Sequence, residues 1–252
     1  MYFNFYLLPF TYFTMFLDLI YPKLCLGCKK FGRYICTSCI SKLPKLNSIC
    51  PVCEKASIDG LTHVGCVKKR SLDGLTSIWP YSGVIRKSMI SMKYKFAFEI
   101  AKDLSAYAES NLYDIFTIGK FSNAVLVPIP AHRSRENWRG FNQAKILGET
   151  LSKRFKQQYL EILSRTKDTK PQVELKKKER LENIKGAFDI HSSCHSEKSL
   201  RHPEFSSGSQ LRGKNFMLID DVYTSGATMQ EACRILKRAG AKTVWAMAVA
   251  LG

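Results

Sequence analysis

The chain sets short, unbroken apolar runs beside longer stretches of helical period. Residues 216–219, Phe-Met-Leu-Ile, are an apolar run of strand length, the pattern of a parallel strand buried on both faces. Asp220 and Asp221 therefore fall at its carboxyl end. From Ala227 the pattern turns helical through Arg238, with Met229, Ala232, Cys233, Leu236 and Ala239 on one face and Gly240 as the stop. A second apolar run, Ala124-Val-Leu-Val-Pro-Ile, breaks at Pro128 and Pro130 into a basic loop containing His132, Arg133 and Arg135. Gly140-Phe-Asn-Gln-Ala144 follows and leads into a helix ending near Gln157. Upstream, residues 79–83 read as strand and turn. Residues 85–110 have helical periodicity through Met89, Ile90, Met92, Phe96, Ile100, Leu104 and Tyr107. Apolar strands interleaved with amphipathic helices predict an α/β domain with a parallel sheet.

Three stretches fall outside this pattern. Residues 1–21 are rich in Phe, Tyr and Leu, but Asn4, Pro9 and Asp18 interrupt them and no basic leader or cleavage site is evident. A start at Met15 explains them more simply than an integral membrane anchor. Residues 164–186 are polar and basic, with Arg165 and Arg180 among interspersed acids, and read as a mobile lid or a flexible surface loop. Residues 191–213 are rich in Ser, His and Gly and read as a disordered insertion in which His191, Cys194, His195 and His202 have no recognised ligand spacing.

Composition changes the picture in two ways. In 252 residues, 39 Lys and Arg against 21 Asp and Glu give a formal net charge of +18, which favours anionic partners such as phosphorylated metabolites or nucleic acid. Lys93-Tyr94-Lys95 and the segment from Arg135 to Phe141 set basic residues beside aromatics, compatible with stacking of single strands, although lysines more often simply keep a helix soluble. Seven of the nine cysteines lie between Cys25 and Cys66. Cys25-x-x-Cys28, Cys36-x-x-Cys39, Cys50-x-x-Cys53 and His63-x-x-Cys66 are four knuckles, each offering two ligands from one tight turn. Tetrahedral zinc needs four, so two sites follow, most simply Cys25/Cys28/Cys36/Cys39 and Cys50/Cys53/His63/Cys66, with a cross-braced pairing equally consistent with the spacing. Closed four-ligand sites are structural, and metal spacing in place of a disulfide ladder points to a reducing, cytoplasmic compartment.

The chemistry concentrates at Thr224-Ser-Gly-Ala-Thr228, which lies at a helix N-terminus. Unpaired N–H groups and the positive end of the helix dipole converge there, Gly226 permits close backbone approach, and three hydroxyls add donors, so a phosphate fits. Asp220 and Asp221 would repel that phosphate. Their partners are donors, namely the hydroxyls of a ribose 5-phosphate lying across the carboxyl edge of the sheet. This segment resembles the phosphoribosyl pyrophosphate (PRPP) motif of type I phosphoribosyltransferases, with Tyr223 departing from the aliphatic usual at its position.

The order of the zinc knuckles, Val127-Pro-Ile-Pro130, Arg139-Gly-Phe-Asn-Gln-Ala144, a Gln-x-x-Leu segment beginning at Gln172, Arg180-x-x-Asn-x-x-Gly-Ala-Phe188 and the Asp-Asp cradle resembles the ComF family. These are phosphoribosyltransferase-like proteins linked with competence for DNA uptake. His63 departs from the family's frequent Cys. The resemblance implies a type I phosphoribosyltransferase-like, Rossmann-like domain over residues 71–252, preceded by a double zinc ribbon at 22–70. It implies that Asp220 and Asp221 contact ribose, that residues Thr224, Ser225, Gly226, Ala227 and Thr228 cradle the 5-phosphate, and that the loop after Pro130, with His132, Arg133 and Arg135, takes the pyrophosphate. Arg165, Gln172 and Arg180 would belong to the flexible loop. Mg²⁺ would accompany PRPP, and single-stranded DNA and proteins of the uptake machinery would be partners.

Overall fold

The structure, a computed structural model, describes residues 22–92, 97–117, 121, 123–169, 177–190 and 211–252. The expectations for residues 1–21, for Lys93-Tyr94-Lys95, for Gln172 and for residues 191–210, including His191, Cys194, His195 and His202, lie outside the described residues.

Four parallel strands form the central sheet: β1 (Gly74–Pro80), β2 (Val125–Pro128), β5 (Asn215–Tyr223) and β6 (Thr243–Leu251), in the spatial order β1-β6-β5-β2. The apolar run at 216–219 pairs in register with Val125–Pro128 on one side and with Phe216↔Val244 to Ile219↔Met247 on the other. Two strands with neighbours on both sides and cover on both faces must be apolar throughout. Successive side chains of β5 and β6 divide between the two faces. Phe216, Leu218, Val244, Ala246 and Ala248 enter one core and Met217, Ile219, Trp245, Met247 and Val249 the other.

The helices covering these faces are α2 (Gly83–Met92), α3 (Ala97–Thr117) and α5 (Gln143–Phe155) on the second core, and α7 (Ala227–Arg238) on the first. The periodic segment read at 85–110 is divided between α2 and α3, with residues 93–96 not described. The basic loop after Pro130 contains a further seven-residue helix, α4 (Arg133–Arg139), closed by Gly140 at φ 78°. Its His132 cap is weaker than the Ser, Asp or Asn that signals a helix start in sequence, which is why the segment read as loop. The stretch at 164–186 begins and ends at an antiparallel hairpin, β3 (Leu163–Arg165) with β4 (Phe188–Ile190), and carries α6 (Lys177–Ile184). Ile184 is buried in the first core, and the Gly186 N–H donates to Glu231 Oε1 of α7 at 2.7 Å. The base of this segment is thus tied to the domain.

Residues 22–73 are short turns, two 3-10 turns and the single-turn helix α1 (Thr37–Ile40). Two of the knuckles repeat one turn: Cys25 and Cys50 donate their N–H groups to Lys30 and Lys55, and Lys29 and Glu54 return theirs to Cys25 and Cys50, at 2.8–2.9 Å. The first half docks on α3, where Tyr107 Oη donates to the Ile35 carbonyl at 3.1 Å and the Ile35 N–H reaches Asp103 Oδ2 at 3.3 Å. The second half docks under β5 and α7. Among the described residues, no helix is long and apolar enough to cross a membrane.

Candidate functional site

All four sheet strands are parallel, so their carboxyl ends open on one edge, where a ligand crevice is expected in such folds. A cavity of about 620 Å³ lies there. Asp220, Asp221 and Thr224 come to it from the end of β5, and Gly226, Ala227 and Thr228 from the turn into α7. Gly226 adopts φ +69°, and a Cβ there would stand 2.1 Å from the Tyr223 hydroxyl. Only glycine fits this position. Ser225 Oγ is buried and has no hydrogen-bond partner among the described residues, which leaves a donor unspent in the loop.

Asp220 and Asp221 are half-buried, and each carboxylate accepts the N–H of the residue that follows it, at 2.9 and 2.8 Å. Burial, followed by the charge of Asp221, holds the Asp220 carboxyl well above the usual carboxylate range. Arg165 lies on the same wall and partly offsets this effect.

Five arginines line the cavity: Arg86, Arg135, Arg139, Arg165 and Arg180. Arg180, from α6, donates to Thr224 Oγ1 at 3.2 Å, so the helix inside the lid segment touches the first residue of the loop. Arg135 Nη2 donates to the Thr169 carbonyl and Arg165 Nη2 to the Thr169 hydroxyl, which joins the two guanidinium groups through one residue. Burial and then the nearby Arg135 bring Arg165 down to about 10. An oxyanion between the pair would relieve that repulsion.

Not every expected residue reaches the crevice. His132 Nδ1 caps α4, accepting from the Ser134 N–H at 3.3 Å, and lies 3.5 Å from Asp168. Arg133 faces an adjoining depression with Glu136, Lys145 and Glu161. In their place the structure brings Arg139, Asn142 and Gln143 from the segment 139–144 into the cavity wall. Asn142 has the capping role its position suggests. It accepts the Ala144 N–H at 3.0 Å and donates to the Ile129 carbonyl at 3.0 Å, which locks α5 to the end of β2. Trp138 of α4, within the basic and aromatic segment 135–141, also lines the cavity, as do Tyr81 and Arg86 from the β1–α2 junction, which carried no signal in the sequence beyond their type.

The cysteine knuckles form two separate clusters, Cys25/Cys28/Cys36/Cys39 and Cys50/Cys53/His63/Cys66, each with its ligand atoms within 4.8 Å of one another. A tetrahedral zinc with bonds near 2.3 Å sets its sulfurs about 3.8 Å apart, so both clusters fit such an ion. His63 Nε2 lies 3.0 Å from the Ala56 carbonyl and must therefore carry the proton, which leaves the Nδ1 lone pair facing Cys53 Sγ at 3.3 Å. Although burial opposes it, N–H groups of Cys28, Cys36 and Gly27 draw the Cys25 thiol down to about 6. The same balance at Cys50, with donors from Cys53, His63 and Val52, brings it to about 7. These are cradles for thiolates, the form that binds metal.

Tyr223 bridges the two regions. Its hydroxyl donates to the Pro51 carbonyl at 2.9 Å, inside the Cys50-x-x-Cys53 knuckle, and Gln230 Nε2 reaches the same oxygen at 3.3 Å. The side chain is buried directly beneath Gly226. An aliphatic residue would fill the space and leave that carbonyl with the weaker donor.

A parallel sheet whose carboxyl edge carries an acidic pair, a helix-capping hydroxyl loop and a wall of arginines defines a phosphoribosyltransferase-type domain, and residues 144–251 match the phosphoribosyl transferase domain family. The chain is 29% identical over 214 residues to the competence protein ComFC of Bacillus subtilis (strain 168), covering 82% of this chain and 79% of that protein. It is 26% identical over 231 residues to the DNA utilization protein YhgH of Escherichia coli (strain K12), covering 88% and 94%. It is also 30% identical over 126 residues to competence protein F of Haemophilus influenzae, covering 49% of each chain. Over more than four fifths of its length the chain is thus similar to proteins named for competence and DNA utilization.

Proposed function

We propose that the crevice binds PRPP with Mg²⁺ and displaces its pyrophosphate, in a cytoplasmic protein that serves DNA uptake. The observation that carries this reading is the meeting of Asp220 and Asp221, the loop residues Thr224, Gly226, Ala227 and Thr228, and three arginines, Arg135, Arg165 and Arg180, in one open cavity. The loop N–H groups and hydroxyls take the 5-phosphate. The acidic pair accepts the ribose hydroxyls, and the negative charge the pair shares favours the cationic, oxocarbenium-like sugar that forms as the bond at the anomeric carbon breaks. Arg135 and Arg165 hold the departing pyrophosphate, and Arg180 ties the lid segment to Thr224 as the site closes and water leaves. Mg²⁺ arriving with PRPP would neutralise pyrophosphate charge and so make it a better leaving group. Two structural zinc ions would hold the ribbon together.

The competence and DNA-utilization names of the relatives support an uptake role, with single-stranded DNA and uptake proteins as partners. The net charge of +18 also favours a nucleic-acid partner. A second reading keeps PRPP as a signal without turnover, in a protein whose work is to handle the incoming strand.

Isothermal titration with PRPP and Mg²⁺ is expected to show binding that weakens about tenfold or more in Asp221→Asn, since a buried ribose hydroxyl loses a charged acceptor. Unchanged affinity would overturn the reading. Pyrophosphate release over a panel of nucleobases and oligonucleotides separates enzyme from sensor, and anisotropy of labelled single strands across a salt series tests the DNA partner.

A further inference from the structure

The crevice has more provision for oxyanions than PRPP can use. PRPP has two anionic ends. The loop Thr224–Thr228, with Arg180 bonded to Thr224, accounts for the 5-phosphate, and the Arg135–Arg165 pair joined at Thr169 accounts for the pyrophosphate. Arg86, Arg139 and Gln143 remain, and of these Arg139 and Gln143 touch each other. Arg139 lies one helical turn beyond Arg135, and its Nη1 donates to Gln143 Oε1 at 3.4 Å. A guanidinium only donates, so the amide must turn its oxygen toward Arg139 and its NH₂ group away from it. Gln143 is 5% exposed and lines the cavity, and its Nε2 has no hydrogen-bond partner among the described residues. Arg139 Nε is likewise buried and has no hydrogen-bond partner among the described residues. A buried amide with its donors unspent beside a guanidinium whose buried N–H is also unspent is costly unless a ligand completes it. The wall offers donors only. Trp138, 70% exposed on the same helix, stands at the rim as a flat apolar surface.

We infer that Arg139 and Gln143 form a third oxyanion subsite, and that the acceptor for the phosphoribosyl group is a planar molecule bearing a carboxylate or a phosphate. The inference rests on the PRPP reading of the crevice, because two anionic ends must be assigned before a third subsite is left over. In the reaction, the acceptor's nucleophilic atom bonds to the anomeric carbon, pyrophosphate leaves with the bonding electron pair, and the acceptor loses its proton to solvent. Arg139 and Gln143 position the acceptor through its acid group and take no part in those bond changes.

The test uses the zinc-loaded full chain, with Mg²⁺, ribose 5-phosphate and pyrophosphate at saturating concentration, and calorimetric titration of two matched pairs of probes. Orotate and uracil differ by a carboxylate, and deoxycytidine monophosphate and deoxycytidine by a phosphate. At least one charged probe is expected to bind about tenfold or more tightly than its neutral counterpart. Whichever pair shows the difference identifies the source of the acid group. Gln143→Leu and Arg139→Gln should each abolish that preference and leave affinity for ribose 5-phosphate unchanged. Equal binding within both pairs, no binding of any probe, or a preference that survives in both variants would overturn the proposal. So would a Gln143→Leu variant that lost pyrophosphate affinity, since the wall would then belong to the leaving group. Failure of the PRPP reading is a separate result, seen as ribose 5-phosphate binding that is absent or indifferent to Asp221→Asn.

Discussion

Asp220 carries an electrostatic cost in the crevice. Burial and the adjacent Asp221 raise its carboxyl, so the folded protein holds a proton there that the unfolded chain has released. Stability is accordingly lost as pH rises from the unfolded value, about 3.9, to the raised folded one, and is level above it. Asp220→Asn removes the penalty. Its melting temperature should match the parent near pH 4 and exceed it at pH 7, while ribose 5-phosphate binding weakens. A variant no more stable than its parent at pH 7 would remove the argument. Gly226 is constrained from the opposite side. Alanine there meets both φ +69° and the Tyr223 hydroxyl at 2.1 Å, and should cost at least about 1 kcal/mol in denaturant unfolding. At this scale the sequence was most readable where chemistry is local. Adjacent acids before a hydroxyl-glycine turn announce themselves. Gln143 did not, because its orphaned amide exists only once Arg139, four residues earlier, folds over its oxygen.

The elements divide in the same way. Ala227–Arg238 was legible to the residue, since an apolar stripe of period near 3.6 begins at a glycine N-cap and stops at Gly240. Helix α4 was not, because two prolines and alternating charges imitate a loop. Strand β6 carried no separate reading either. Its Ala246, Ala248 and Ala250 have little strand propensity, and the run is a strand because β1 and β5 flank it. The lid segment belongs to both categories. Its composition shows no apolar period, yet Ile184 and the Gly186–Glu231 bond fasten its base. Glu231 also pairs with Arg234 at 2.5 Å. Glu231→Gln, which weakens both bonds, should raise amide exchange in α6 by about tenfold, with less change in β5. Equal protection in α6 would mean that the hairpin alone holds the segment.

The described molecule is a sheet with a cysteine-rich ribbon attached at two places, α3 for the first cluster and β5–α7 for the second. Spacing announced the ligands. The pairing had to come from the fold, which places each set of four within one half of the ribbon. Metal analysis of the purified chain should return about two zinc ions, and a value near zero would reject both sites. Chelation should lower the unfolding midpoint, because so short a segment has little core of its own besides the metal. Tyr223→Phe is expected to cost about 1 kcal/mol and to weaken PRPP binding, although Phe fills the same volume.

The tie between Tyr223 and Pro51 rests the loop at the mouth of the crevice on the second cysteine cluster. An oxidant attacking Cys50 or Cys53 would never touch the sugar, yet it would loosen the floor on which Gly226 rests. On the proposed reading, such a protein would couple how firmly it holds a phosphorylated sugar to the state of its cysteines.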